Sequence, residues 1–375
     1  MNRIKLFVEL VLVAGLIAPG LATAGGQNEQ PMPSQMNATD AARPAAATSS
    51  AAGTELMGAG ASFPYPIYSK MFDEYNKATG VKVNYQSIGS SGGVKNIKDK
   101  VVDFGASDAF LNDEAMKQFD APIVHIPTVL GSIVVTYNLP GNPTLKLTGT
   151  VIADIFMGKI TKWNDPAITG INSGVSLPAT DIIVAHRSDG SGTTNNFTAY
   201  LARVSTEWKD KIGTANSVNW PVGLGGAQNT GVAGIVKSTP GAVGYVELAY
   251  AIQNDLPYAT VQNKAGNWIV PSLKSTSLAG DMQLPADTRV ILANTEATNG
   301  YPISTMTWLV VYKEQNYGGR SAARAGELVK LLWWVTHEGQ QYAESLDYAP
   351  LPAAAVKDVE TILKSITFNG KPIRR

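Results

Sequence analysis

The 375-residue chain contains no cysteine. That excludes disulfide staples, zinc–thiolate sites, thiol nucleophiles and lipid attachment at a cysteine. It has only three histidines, His125, His186 and His337, and they lie far apart in sequence, which leaves little material for a histidine-based metal site. Charge is scarce too. Only 16% of residues are charged, and 30 basic side chains are matched by 30 acidic ones. Without a basic excess there is no electrostatic footprint for nucleic acid or an anionic membrane, so any anion has to be drawn by a local site. Long apolar runs are also missing: the stretch from Leu10 to Leu21 is broken by Pro19 and too short to span a bilayer comfortably. Neither a P-loop lysine motif nor a His-Glu-x-x-His motif is present.

What is there begins with a basic start (Arg3, Lys5), that apolar run, and the small residues Ala22-Thr23-Ala24. Together they read as a secretory signal over residues 1–24, with Glu9 an awkward charge just before the run. Residues 25–54 are rich in Ala, Gly, Gln, Asn, Ser, Thr and Pro, with almost no large apolar side chains. Such a segment cannot bury enough surface to offset ordering entropy and reads as a disordered linker. From Glu55 onward, strand-like and helix-like patterns alternate, which indicates an α/β fold long enough for two domains. Residues 123–127 and 131–138 read as consecutive extended segments that could carry the chain from one domain to another. Residues 301–312 form a β-rich run that could return it.

The stretch around which the chain is organised is His186-Arg187-Ser188-Asp189-Gly190-Ser191-Gly192-Thr193-Thr194. Strand-like Ile182 to Ala185 leads in, and a helix pattern with Phe197 and Leu201 four apart leads out. Glycines let backbone N–H groups turn inward, and a helix start adds unpaired donors and a positive dipole end. Two further junctions repeat the design: Ser62-Phe63, and Ser90 with Gly92-Gly93. Ligands in open α/β sheets bind at the carboxyl ends of strands, where all three junctions fall. Arg187 adds a planar fork suited to a tetrahedral oxyanion. If the three converge, the site is nearly all donors, which describes an oxyanion receptor.

Asp108, at the end of Val102-Asp103-Phe104-Gly105-Ala106-Ser107, is the odd member. An ionised carboxylate only accepts hydrogen bonds, so beside an anion it repels unless the anion has a proton to give. Phosphate near neutral pH carries at least one and sulfate none. A site built to pair a substrate OH can reject an analogue lacking it by about 10⁴–10⁵.

At this point a resemblance is visible. Gly58-Ala59-Gly60-Ala61-Ser62-Phe63-Pro64, Gly89-Ser90-Ser91-Gly92-Gly93, Val102 to Asp108 and Arg187 to Thr193 resemble the four signature segments of periplasmic phosphate-binding proteins, the receptors of the phosphate-specific ABC importer. The similarity runs from about residue 55 to the end and takes in Leu224-Gly225-Gly226, Pro240 to Glu247 and Leu346 to Ala349. The resemblance implies an α/β, two-lobed periplasmic-binding-protein fold (type II, Venus-flytrap) with two crossing hinge strands. Residues 55–130 and 300–375 would form lobe 1, and 131–299 lobe 2. It implies a non-enzymatic monomer, periplasmic, working without cofactor or metal, that binds inorganic phosphate and delivers it to an ABC permease and ATPase in the inner membrane. Carried over motif by motif, Ser62, Phe63 and Ser90 contribute hydroxyl or backbone donors. Asp108 accepts the phosphate proton and Arg187 supplies charge. Ser191, Gly192 and Thr193 cap the anion from the second lobe, while Asp189 is a partner of Arg187 and not a ligand. Two departures stand out: the family often has threonine where Ser62 stands, and often an arginine where His186 stands.

Three other readings compete. Gly89-Ser90-Ser91-Gly92-Gly93 matches the G-x-S-x-G nucleophile elbow of hydrolases, with Ser91 as nucleophile and His337 as its natural histidine. A two-lobed receptor for another oxyanion, such as sulfate or molybdate, is a second, and Asp108 argues against it. A third is an adhesin using its aromatic residues, whose seven tryptophans show no period.

Overall fold

The computed structural model describes residues 55–374, so the signal over 1–24 and the linker over 25–54 lie outside the described residues. The chain begins β1 (Glu55–Gly60), α1 (Tyr65–Thr79), β2 (Lys82–Ser87), α2 (Ser90–Lys98), β3 (Phe104–Ser107), α3 (Asp113–Met116) and β4 (Ile123–Tyr137). It continues β5 (Lys146–Leu147), α4 (Gly149–Phe156), α5 (Pro166–Thr169), β6 (Ile183–Arg187), α6 (Gly192–Val204) and α7 (Thr206–Lys211). Next come β7 (Leu224–Gly226), α8 (Gln228–Ser238), β8 (Ala242–Glu247), α9 (Leu248–Gln253), β9 (Thr260–Gln262), β10 (Trp268–Ile269) and α10 (Leu273–Gly280). The last elements are β11 (Ser304–Tyr312), α11 (Ala322–Thr336), α12 (Ala353–Lys364) and a hairpin of β12 (Thr367–Phe368) and β13 (Lys371–Pro372).

Eight strands form one sheet in the order β2-β1-β3-β11-β4-β8-β6-β7. One end is parallel (β2, β1, β3) and so is the other (β8, β6, β7), each strand followed by a helix. Antiparallel β11 and β4 join the two ends. Strand β4 pairs with β11 along residues 123–132 and with β8 along residues 133–137, so it passes from one half into the other. This is the two-lobed α/β architecture with crossing strands that the sequence led us to expect. The two extended segments expected over 123–138 are one strand. Pro127 does not end it, because the ladder to β11 shifts register there and leaves Thr128 as an extra residue. A bulge is where a sheet tolerates the missing proline N–H.

Helix α1 shows why the elements form. Ile67, Tyr68, Met71, Phe72 and Tyr75 recur at helical spacing and are all buried, proline stands in its first turn, and Gly80 closes it at φ +75°. A proline there loses no hydrogen bond, and glycine takes the left-handed cap without a Cβ clash. Each such large apolar side chain removed from water contributes about 1.5–3 kcal/mol. The central strands are the most buried: all nine residues of β11, and all of β4 except Val124. Residues 263–290, which show no clear period, contain β10 and α10. The latter is held at its start by a reciprocal Ser272–Ser275 capping box.

Candidate functional site

Of the helices that follow parallel strands, four (α1, α2, α6 and α8) have starts that meet in pairs across the two halves of the sheet. Ser90 is the first residue of α2, and its Oγ accepts the N–H of Gly192, the first residue of α6, at 3.0 Å. Ser62 lies just ahead of α1, and its Oγ accepts both the N–H (3.2 Å) and the side-chain amide (3.0 Å) of Asn229 in α8. The Ser62 hydroxyl is thus an acceptor for Asn229. Helix starts carry unpaired N–H groups and the positive end of the dipole, so their convergence makes the region favourable for negative charge.

Close approach requires glycine at two of these positions. A Cβ on Gly93 in α2 would come within 2.5 Å of the Gly60 Cα and 2.6 Å of the Ala59 carbonyl. One on Gly192 would come within 2.6 Å of Ser90 Oγ and 2.8 Å of the Asp108 backbone nitrogen. The Gly-Ser turns read in the sequence therefore let the helix starts touch the sheet and each other.

Arg187 ends β6, and its side chain is only 1% exposed. Its guanidinium donates to Asp189 twice, Nε to Oδ1 at 2.7 Å and Nη2 to Oδ2 at 2.6 Å, while Nη1 reaches Thr193 Oγ1 at 3.3 Å. Burial alone would raise the Asp189 carboxyl, yet the hydrogen bonds and charge of Arg187 hold it below the ordinary value. The bidentate pair fixes the plane of the fork. Thr193 also accepts from the Asn229 amide at 3.4 Å. Ser191 caps α6 by accepting the Thr194 N–H at 3.0 Å.

Asp108 follows β3 and is buried among donors. Its Oδ1 accepts from the Thr307 hydroxyl at 2.7 Å, its Oδ2 from Ser90 Oγ at 3.4 Å, and its backbone carbonyl from the Asn196 amide at 2.6 Å. Burial pushes its carboxyl up to about 7, against the opposing pull of the Thr307 hydrogen bond and the Arg187 charge. Phe63 is fully buried, and its carbonyl accepts from Tyr348 at 2.6 Å. Its ring covers Gly131 of β4 so closely that a Cβ there would meet it at 2.5 Å.

The structure thus brings Ser90, Asp108 and Gly192 into one hydrogen-bonded set and Ser62, Arg187 and Thr193 into a second through Asn229, the two meeting at Gly192-Thr193, with Phe63 and Ser191 at the helix starts. Sequence reasoning missed Asn229, Thr307, Asn196 and Gln228, the last of which donates its backbone N–H to Asp189 Oδ1 at 3.0 Å. Asn229 had a signal, since it follows Gly225-Gly226 in the same strand–glycine–helix pattern. Thr307 had none, because it lies in a strand that reads as core. His186 stacks on Trp220 at 4.9 Å, as a flanking residue. The hydrolase pairing is absent: Ser91 Oγ accepts from the Asn216 amide, whereas His337 stacks on Trp333 at 3.5 Å with Nδ1 2.9 Å from the Trp333 carbonyl oxygen.

Comparison with known proteins points the same way. Residues 45–336 match the model of the PBP superfamily domain. The chain is 44% identical to the phosphate-binding protein PstS of Xylella fastidiosa (strain 9a5c) over 313 residues, covering 82% of this chain and 84% of that protein. It is 44% identical to PstS of Pasteurella multocida over 319 residues, covering 83% and 90%. Among solved structures it is similar to a high-affinity periplasmic phosphate-binding protein (PfluDING) bound with phosphate, at TM-score 0.66, 18% identity and coverage of 84% and 97%. The phosphate-binding protein of Stenotrophomonas maltophilia gives TM-score 0.63 at 19% identity, with coverage of 82% and 94%.

Proposed function

The chain belongs to the PBP superfamily and, within it, to the family of phosphate-binding proteins, and on that premise we propose that it binds inorganic phosphate in the periplasm and delivers it to an ABC-type import permease and its ATPase. It is a binding protein and not an enzyme. The observation that carries the reading is a buried carboxyl, Asp108, set among converging donors. Arg187 supplies the positive charge and is held in plane by Asp189. Ser62, Phe63, Ser90, Ser191, Gly192 and Thr193 supply hydroxyl or backbone donors from three helix starts, and Asn229 adds a fourth. Asp108 accepts the proton that phosphate carries near neutral pH. Sulfate has no proton there, so its oxygen would face a carboxylate oxygen with nothing between them. The lobes close on the anion, with residues 55–130 and 300–375 forming one lobe and 131–299 the other.

Calorimetric titration of the chain, stripped of anion, tests the proposal. Tight 1:1 binding of phosphate that persists in excess sulfate is expected. Equal competition by sulfate would leave an oxyanion receptor but remove phosphate as its specific cargo. No binding of either anion would overturn the reading.

A further inference from the structure

Beside the anion cluster the two halves of the sheet touch through a few residues at the start of α2, after β6, and on either side of β7. The Ser91 N–H donates to the Gly190 carbonyl at 3.0 Å, and the Asn216 amide donates to Ser91 Oγ at 3.1 Å. Gly89 presses so closely on Asp189 that a Cβ there would meet its carboxylate oxygen at 2.4 Å. One residue of this seam stands in an unfavourable conformation. Gln228, the first residue of α8, has φ +62°. Glycine takes that region freely, whereas a residue with a side chain is strained in it.

The Gln228 side chain has a use that glycine could not supply. Its Nε2 donates to the Ser87 carbonyl and its Oε1 accepts from the Ser87 hydroxyl at 3.4 Å, both at the end of β2 in the opposite lobe. Its backbone N–H donates to Asp189 Oδ1 at 3.0 Å, and Arg187 Nε donates to that same oxygen. One residue therefore ties the partner of the anion-binding arginine to the facing lobe. We propose that Gln228 is a latch, a positioning residue that stabilises the closed cleft and slows release of the bound anion. The inference rests on the phosphate-binding reading. The bonds to Ser87 form only with the lobes together, so they add to the closed state alone. The bond to Asp189 lies within one lobe and persists when the cleft opens. Strain sets the contrast: it lies in the backbone of the β7–α8 turn, within one lobe, so removing it raises stability without helping retention.

The test compares wild type with Gln228→Gly, which loses both latch and strain, and Gln228→Ala, which loses the latch and keeps the strain. Release of radiolabelled phosphate into unlabelled phosphate is measured, together with amide hydrogen exchange at Ser91 in the phosphate-free chain. Both variants are expected to release phosphate about tenfold faster, as two neutral hydrogen bonds lost from one state imply, with faster exchange at Ser91. Gln228→Gly is expected to melt above Gln228→Ala. Wild-type release and wild-type Ser91 exchange in both variants would overturn the latch and leave phosphate binding standing. Failure of the wild-type chain to take up phosphate would overturn the functional reading, and Ser91 exchange would then decide the latch alone, unchanged exchange overturning it.

Discussion

Asp108 occupies a place where an acid is costly and, for that reason, informative. Both carboxyl oxygens already accept from hydroxyls, and burial lifts the group from 3.8 to about 7. Replacing it by asparagine removes the carboxylate and adds an N–H donor, so Asp108→Asn is expected to narrow the preference for phosphate over sulfate by about 100-fold or more. Competition calorimetry reads this directly, and unchanged discrimination would place selectivity elsewhere. The same substitution has a consequence for stability. Between pH 3.8 and about 7 the phosphate-free folded chain holds a proton on Asp108 that the unfolded chain releases, and above that range the carboxylate is free to accept, so this contribution is fully present below pH 3.8 and is lost as pH rises through 7. In total it is on the order of 4 kcal/mol. Buried Glu247, raised well above the ordinary value by burial, acts in the same direction. Urea unfolding of the phosphate-free chain should therefore show wild type losing stability between pH 5 and pH 8 and Asp108→Asn losing less. Equal losses would mean that the carboxyl is not held protonated. Such residues differ in how far they can be read from sequence. Ser90 and Arg187 stand out because strand, turn and helix start lie side by side in the chain. Thr307 reaches Asp108 from almost 200 positions away, in a run of buried residues where a threonine reads as filler. Gln228 carries no signal either, because only its backbone angle marks it.

The elements were legible to the extent that they were local. Helix α11 shows its apolar period and α1 its proline start and glycine stop. The small-residue turns before α2 and α6 mark both ends of a junction. The joining of β4 was not legible, since Pro127 reads as a break and only pairing with β11 around a bulge keeps the strand whole. The placement of α2 is the element on which the site depends most. Gly93 sits where any Cβ would meet the backbone of β1 and β3, which cannot swing aside. Gly93→Ala should push α2 outward and carry Ser90 away from Gly192, costing about 1–3 kcal/mol of stability and weakening phosphate binding at least tenfold. Gly326 in α11 is the control, because nothing lies within 4 Å of a Cβ there. Alanine at that position should stabilise the chain by about 0.5–1 kcal/mol and leave binding alone. Thermal melts with and without phosphate separate the two. Equal effects from both substitutions would mean that α2 packing does not position the site.

Over the whole molecule, the balance of 30 basic and 30 acidic residues means that no long-range field gathers anions. On the proposed reading, attraction comes from Arg187 and four helix starts, and these act over a few ångströms. The Debye length shrinks from about 30 Å at 0.01 M salt to below 10 Å above 0.1 M, and only fields reaching beyond that distance are screened away. Steered association falls steeply with salt, whereas capture by a short-range, enclosed site does not. The rate of phosphate association, followed by stopped-flow tryptophan fluorescence, should therefore change by less than about threefold between 0.01 and 0.5 M sodium chloride. Chloride has no proton for Asp108 and no tetrahedral set of oxygens for the donors, so it should not compete at these concentrations. A fall of tenfold or more would instead reveal a steering field near the site, where Lys95 and Lys98 line a groove that reaches Asp108. Lys95 is already paired with Asp99, so Lys98→Gln would then be the variant to remove the salt dependence. A flat salt profile would leave capture to the enclosed donors and retention to closure of the lobes.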